Sequence, residues 1–256
     1  MAAHSTKIKI CGLRIPSDVE VVNEVLPDYC GFIFDPTRRR YVEPAAAEGL
    51  RSRLDPRIRP VGVFVNAGTQ RILEVLDVCH VDMVQLHGQE TNEDIDELRD
   101  AIAKRTAGIP GCGTTGSAQA EGASRGAAGE RRTASAEEAV GRKDSCRAPA
   151  SQHPFQIVKA FRIDTADDIQ LALWSHADLV LLDHGIGGTG ESFDWSLLRG
   201  CGRQFILAGG LGPDNVAEAI NRTRPYAVDA SSSLETDGHK DREKALAFAA
   251  AVRGAR

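Results

Sequence analysis

Eight short apolar runs, separated by amphipathic stretches, constrain the fold of this chain more than any other feature. The runs are rich in Val, Ile, Leu and Phe, as expected of parallel strands that are covered on both sides. They occupy residues 8–11, 30–34, 61–65, 83–86, 157–161, 179–182, 205–208 and 226–228. Between them apolar residues recur at helical spacing, as in Val19, Val22 and Val25. The pattern therefore predicts eight consecutive strand–helix units.

Local signals mark where several of these helices begin. Ser17 and Glu20 have the spacing of a capping box. Thr91 and Asp94 have the same spacing ahead of the fourth helix. Pro213 suits the first turn of a helix near residue 213, because proline has no N–H to leave unpaired there.

One segment, residues 106–153, interrupts the alternation. It is rich in Gly, Ala, Ser and Arg, and its only large apolar residues are Ile109 and Val140. Such a composition cannot bury a core, so we predict a disordered insertion between the fourth helix and the fifth strand. The other 208 residues fit one domain. Residues 1–256 are thus predicted to form a single (β/α)8 TIM barrel with this insertion, and a doubly wound open sheet is the alternative.

Charge and composition exclude several classes of protein. With 31 basic and 36 acidic residues, the chain lacks the basic surplus of a general nucleic-acid binder. No apolar run approaches the roughly 18 residues that span a bilayer, and the N-terminal sequence lacks a secretory signal, so we expect a cytoplasmic protein without a membrane partner. The six cysteines form no CxxC pair, which predicts free thiols and no metal site.

Three loops that follow predicted strands consist of small residues. Small residues let backbone N–H groups converge on an anion, and the start of the next helix adds a favourable dipole. Because barrels bind phosphate and place catalytic groups on the loops after strands, we predict a phosphate site there. The insertion follows a helix, so it should lie away from this site. The candidate phosphate-binding residues are Gly187, Gly188, Gly190, Gly209, Gly210, Ser231 and Ser232.

A thiol and two carboxylates also fall at predicted strand ends. Cys11 ends the first run, and Lys9 shares its strand face, where it could favour the thiolate or pair with an acid. Asp183 and Asp229 directly follow the sixth and eighth runs. These groups suit proton transfer, although an inert buried cysteine and loop-capping acids are the alternatives.

Other polar residues lie near the same predicted strand ends. Arg38, Arg39 and Arg40 follow the second run, where they form either a solvated charge cluster or a fork for a second anion. Gln85 and His87 close the fourth run. His87 could titrate near neutral pH, but a single histidine is more often structural.

Motifs in a fixed order carry a family resemblance. They are KICGL (9–13), GFIF (31–34), RRYV (39–42), VGVFVN (61–66), VQLHG (84–88), LLD (181–183), GGTG with FDW (187–190, 193–195), LAGGL (207–211) and VDASS (228–232). Through them the chain resembles the phosphoribosylanthranilate isomerases of tryptophan biosynthesis over nearly its whole length outside the insertion. The resemblance implies an Amadori rearrangement of N-(5′-phosphoribosyl)anthranilate with no metal or organic cofactor.

The resemblance also implies roles for individual residues. Cys11 would be the general base and Asp183 the general acid, which requires a thiol poised to lose its proton. Arg40 would bind the anthranilate carboxylate, and Asp229 would lie on the anthranilate side. Gln85 and His87 would line the site, with the phosphate held by the small-residue loops. One departure, serine at position 233 where the family has glycine, bears on the last of these loops.

Two other functions compete with this one. A related histidine-pathway isomerase has a similar barrel but uses two aspartates, whereas the first strand here ends in Cys11. Alternatively, the chain is a phosphate-binding barrel without activity that uses its insertion to dock. The predicted partner is a small-molecule phosphoribosyl substrate, and protein partners are left open.

Overall fold

A computed structural model describes residues 5–107, 154–183, 195–198 and 201–255. Its eight main strands are parallel and form a closed barrel in chain order, with β8 paired to β1. Closure confirms the predicted barrel and excludes the open sheet. The strands are β1 Lys7–Cys11, β2 Tyr29–Ile33, β3 Arg59–Phe64, β4 Met83–Leu86, β5 Gln156–Arg162, β6 Leu179–Asp183, β7 Phe205–Ala208 and β8 Ala227–Ala230.

Helices follow seven of the eight strands in the described residues, and a short 3-10 turn at Trp195–Leu198 follows β6. None of these helices is long and apolar enough to cross a membrane. A small antiparallel hairpin, β9 Glu235–Thr236 and β10 His239–Lys240, is inserted after β8. The helices are α1 Pro16–Val25, α2 Pro44–Arg51, α3 Thr69–Val78, α4 Asn92–Ala107, α5 Ala166–Leu173, α6 Val216–Thr223 and α7 Arg242–Gly254.

The predicted helix starts are only partly correct. Thr91 and Asp94 form the predicted reciprocal capping contacts ahead of α4. Ser17 does not cap α1, because the helix begins at Pro16 and the side chain of Asp18 accepts the N-terminal N–H groups instead. Pro213 precedes α6 by three residues, since the side chain of Asn215 bonds to the backbone of residues 210 and 212 and closes a turn there.

The predicted insertion begins inside a helix. Residues 106 and 107 belong to α4, and residues 108–153 lie outside the described part of the chain. The segment connects α4 to β5, as predicted. In a barrel of this topology, such a helix-to-strand connection lies at the end opposite the strand C-termini.

Strand side chains alternate between two apolar layers. Outward residues such as Ile8 and Ile10 pack against the helices, whereas inward residues fill the barrel. The inward layer consists of Tyr29, Val61, Met83, Val158, Ala160, Leu179, Leu181, Ile206, Ala208 and Ala227. The same alternation turns the last residues of β1 and β6, Cys11 and Asp183, towards the barrel axis.

Candidate active site

A cavity of about 650 Å³ opens at the C-terminal ends of the strands. Every candidate site residue in the described part of the chain lines it, whereas Gly187, Gly188 and Gly190 lie outside the described residues. Residues from six strands or the loops after them thus meet in one chamber. The candidates that line the cavity are Cys11, Arg40, Gln85, His87, Asp183, Gly209, Gly210, Asp229, Ser231 and Ser232.

Cys11 occupies a buried position that a neighbouring glycine makes possible. Gly31 is its register partner on β2, and a Cβ on Gly31 would lie 2.5 Å from Cys11 Sγ. Burial raises the pKa of the Cys11 thiol, and the cations of Lys9 and Lys240 oppose that rise only in part. Without bound substrate the Cys11 thiol is therefore harder to deprotonate than an ordinary cysteine, whereas the role of general base that the resemblance implies needs the thiolate.

Lys9 and Asp229 form a buried ion pair beside this thiol. They face each other across β1 and β8, with Lys9 Nζ 2.8 Å from Asp229 Oδ2. Burial lowers the pKa of Lys9, but Asp229 and Cys11 together outweigh burial and the net shift is upward. Burial raises the pKa of Asp229. The sequence left open whether Lys9 pairs with an acid or favours the Cys11 thiolate. In the structure it pairs with Asp229 and also lies close enough to Cys11 to oppose the rise in the pKa of the thiol.

Two buried acceptor atoms in the cavity have no protein partner. They are Asp229 Oδ1 and Gln85 Oε1, for which the described residues offer no hydrogen bond. An unpaired buried acceptor is costly, and a ligand that donates to it removes the cost. These oxygens are thus suited to receive the N–H or O–H groups of a polar ligand.

Asp183 lies beside His87, which is itself oriented by Gln85. His87 Nδ1 is 2.8 Å from Gln85 Nε2. Because an amide nitrogen only donates, Nδ1 must accept, and the ring proton of neutral His87 is on Nε2. Nε2 lies 3.6 Å from Asp183 Oδ2. Gln85 and His87 therefore form a polar chain whose last member, His87, lies beside the candidate acid Asp183.

Arg40 is held by a group that sequence reasoning missed. Its Nε and Nη2 atoms donate to Glu235 at 2.7 and 2.9 Å, and Lys240 Nζ donates to the same carboxylate at 2.9 Å. Burial opposes ionisation, but these donors lower the pKa of Glu235 to about 2. The Asp-Gly dipeptide at 237–238, a strong hairpin signal, is what could have indicated that Glu235 and Lys240 pair.

The three arginines differ in exposure. The Arg38 and Arg39 side chains are 58% and 62% exposed, whereas that of Arg40 is 20% exposed. Arg38 is engaged by Asp35 at 3.0 Å. All three border the cavity, and Arg40 is the least exposed of them.

The small-residue loops have the backbone that such residues permit. Gly209 and Gly210 have φ values of 95° and 61°, a left-handed region that favours glycine. Ser231 Oγ donates to the Cys11 carbonyl at 2.9 Å. Ser233 is not left-handed, and its hydroxyl donates to the Leu211 carbonyl. Position 233 therefore does not need the left-handed backbone that favours glycine, and serine fits there.

These features define a class: a (β/α)8 barrel with a thiol, carboxylates and an arginine around one cavity at its catalytic end. In the described residues, no group of three or more His, Cys, Asp or Glu side chains could hold a metal ion. The family model for N-(5′-phosphoribosyl)anthranilate (PRA) isomerase matches residues 8–121 and 141–251. The chain belongs to this family.

Individual relatives agree with the family match. A curated N-(5′-phosphoribosyl)anthranilate isomerase of Thermoanaerobacter sp. (strain X514) is 33% identical over 256 residues, covering 98% of this chain and 99% of the relative. The relative from Clostridium acetobutylicum is 33% identical over 255 residues, covering 96% and 98%.

Solved structures show the same relationship. Phosphoribosyl anthranilate isomerase from Thermotoga maritima has a TM-score of 0.71 and 30% identity, covering 97% of this chain and 99% of that one. A structure of a phosphoribosyl anthranilate isomerase in complex with reduced 1-(o-carboxyphenylamino)-1-deoxyribulose 5-phosphate has a TM-score of 0.69 and 29% identity, with the same coverage. The resemblance inferred from the motifs is confirmed: the chain is an isomerase of tryptophan biosynthesis.

Proposed function

We propose that Cys11 and Asp183 are the base and the acid with which this chain converts N-(5′-phosphoribosyl)anthranilate to 1-(2-carboxyphenylamino)-1-deoxyribulose 5-phosphate. The observation that carries the proposal is that both side chains line one cavity, from the inward-facing ends of β1 and β6. The relative bound to a reduced form of this product supports the choice of substrate.

The acid acts first. The Asp183 carboxyl donates its proton to the furanose ring oxygen, the bond from that oxygen to C1′ breaks, and the nitrogen lone pair forms a Schiff base. Asp183 is left as a carboxylate. The Nε2–H of His87, 3.6 Å from Asp183 Oδ2, is placed to stabilise that new charge.

The base then acts on the neighbouring carbon. The Cys11 thiolate takes the C2′ proton, and the C–H electrons form the C1′–C2′ double bond of an enolamine while neutralising the iminium nitrogen. Ketonisation moves a proton from the 2′-hydroxyl to C1′. The substrate gains one proton from Asp183 and loses one to Cys11, so the reaction is a net isomerisation that needs no cofactor.

The remaining cavity residues bind and orient the substrate. Arg40 binds the anthranilate carboxylate, and Asp229 Oδ1 accepts a hydrogen bond on the anthranilate side. The loops at 209–210 and 231–232, with the glycines at 187, 188 and 190, hold the phosphate through backbone N–H groups. Binding energy from this remote phosphate orients the reacting carbons. The absence of nucleic-acid and membrane partners and the cytoplasmic location stay predictions from the sequence.

The test is substrate turnover, followed as loss of anthranilate fluorescence. We expect Cys11→Ser and Asp183→Asn to lower kcat by about 10³-fold, because each removes a proton-transfer group. Arg40→Ala should mainly raise KM. Cys201→Ser, which removes a thiol that does not line the cavity, is the matched control and should retain wild-type kinetics. Near-normal rates in both folded site variants would contradict the assignment of acid and base.

A further inference from the structure

We propose that Glu235 is the positioning residue that fixes the Arg40 guanidinium for the carboxylate of the substrate. The inference rests on the function proposed above and assigns a role to a side chain that does not line the cavity. Glu235 is therefore expected to act on the substrate only through Arg40.

The geometry of the contact carries the argument. A guanidinium has two edges that can grip a carboxylate, one formed by Nε and Nη2 and the other by Nη1 and Nη2. Glu235 takes the first edge, with Oε1 2.7 Å from Nε and Oε2 2.9 Å from Nη2. Within the described residues Nη1 makes no hydrogen bond, so the second edge is left for another carboxylate.

Glu235 is itself fixed from several directions. Its side chain is only 5% exposed, and it also accepts hydrogen bonds from Arg39 at 2.7 Å and Lys240 at 2.9 Å. Lys240 is its register partner in the β9–β10 hairpin. The backbone N–H of Lys240 donates to Asp18 at 2.9 Å, which ties the hairpin to the start of α1. The carboxylate is thus a rigid support.

The other side of Arg40 is bounded by Gly12. A Cβ on Gly12 would collide with Arg40 Cδ, and the φ of Gly12 is 87°, so this position favours glycine for both reasons. The aliphatic part of the Arg40 side chain therefore packs against the backbone of Gly12, while Glu235 holds its guanidinium. Such a restrained guanidinium loses little further freedom when it binds a ligand.

The net charge around Arg40 favours a second carboxylate. One carboxylate, Glu235, contacts three cations, namely Arg39, Arg40 and Lys240, so the cluster keeps an excess of positive charge. The lowered pKa of Glu235 keeps its carboxylate ionised at the pH of an enzyme assay. The cluster can therefore hold Arg40 in place and still attract a second carboxylate.

The experiment compares two inhibitors that differ only in the carboxylate. The probes are reduced 1-(2-carboxyphenylamino)-1-deoxyribulose 5-phosphate and its decarboxylated counterpart, reduced 1-phenylamino-1-deoxyribulose 5-phosphate. In Glu235→Gln, the preference of the enzyme for the carboxylated probe should fall about tenfold, as expected for the loss of one oriented charged hydrogen bond. Binding of the decarboxylated probe should change less than twofold, because its contacts do not depend on Arg40.

A merely structural role would weaken both probes equally and would contradict the proposal. An increased preference for the carboxylated probe would also overturn the proposal, because Glu235 would then act only by reducing the positive charge around Arg40. In an Arg40→Ala background, Glu235→Gln should cause no further loss of preference. An equal loss with and without Arg40 would show that Glu235 does not act through it.

The controls separate this inference from its premise. Glu48→Gln breaks a similar fork with Arg51 outside the cavity and should leave the preference unchanged. If Glu235→Gln does not fold, Glu235→Asp keeps the charge but shortens its reach, and an intermediate loss is expected. A wild-type enzyme that shows no preference would contradict the role of Arg40 in the proposed function. A normal wild-type preference that Glu235 variants retain would overturn only the positioning role.

Discussion

At the scale of the residue, Cys11 is subject to two opposing influences. Burial raises the pKa of its thiol, and the ammonium of Lys9 lowers it without reversing the rise. Lys9 is held in the charged form by Asp229. The proposed base thus depends on a cation that has its own buried counter-ion.

The dependence predicts a pH effect of replacing Lys9. In Lys9→Met the cation that favours the thiolate is lost, so the pKa of Cys11 should rise further. Because a thiol with a higher pKa ionises only at higher pH, the rise of kcat/KM with pH should move to higher pH. At pH 7 we expect kcat/KM to fall by roughly tenfold, the effect of about one pKa unit. The measurement is a pH–rate profile.

Lys7 supplies the matched control for this experiment. It is on the same strand and the same inward face, but its ammonium bonds to the hydroxyls of Tyr29 and Tyr226. Lys7→Met should therefore leave the pH profile in place. A Lys9→Met profile that coincides with wild type would show that Lys9 does not influence the base.

At the scale of the element, the start of α1 is joined to the hairpin after β8 by one buried carboxylate. Asp18 Oδ2 accepts from the N–H groups of Arg14 and Ile15, at 2.8 and 3.2 Å. Asp18 Oδ1 accepts from the N–H of Lys240 at 2.9 Å. A helix cap thereby also fixes the hairpin that carries Glu235.

This double role predicts a large loss of stability on truncation. Asp18→Ala leaves three backbone N–H groups without their acceptor, and each such group costs about 1–3 kcal/mol. We expect the free energy of unfolding to fall by about 3 kcal/mol, measured by urea denaturation. Ser17→Ala removes an exposed hydroxyl from the cap predicted by sequence and should change the free energy of unfolding by less than about 0.5 kcal/mol. Equal effects of the two substitutions would contradict the assignment of the cap.

At the scale of the whole molecule, the site and the long connection between α4 and β5 occupy different places in the topology of the barrel. The cavity is at the C-terminal ends of the strands. The connection runs from a helix to a strand, and in (β/α)8 barrels such connections lie at the end opposite the active site. We therefore expect residues 108–153 to lie away from the site.

Deletion of residues 108–153 should accordingly spare catalysis. With a short Gly/Ser linker between α4 and β5, we expect kcat and KM to remain within about twofold of wild type, because each cavity residue comes from a strand end or the loop after it. Steady-state turnover by the fluorescence assay measures this. A deleted protein that melts normally but turns over slowly would show that the segment reaches the site.

Much of the fold and part of the site could be predicted from local sequence. Apolar runs predicted the number and order of the strands and put Cys11 and Asp183 at strand ends, where the structure has them. Helix starts were less predictable: the Thr91–Asp94 box was correct, but Asp18 outcompeted Ser17 for the first N–H groups of α1.

The pairing of charged groups was decided only by the tertiary structure. Lys9 and Asp229 are 220 residues apart, and Arg40 and Glu235 are 195 apart. Local patterns report which face of a strand a residue occupies, because periodicity is a property of neighbouring residues. Which two faces meet depends on closure of the barrel and on strand register. Closure pairs the last strand, β8, with the first, β1, which brings Asp229 to Lys9 and places the hairpin that carries Glu235 beside Arg40.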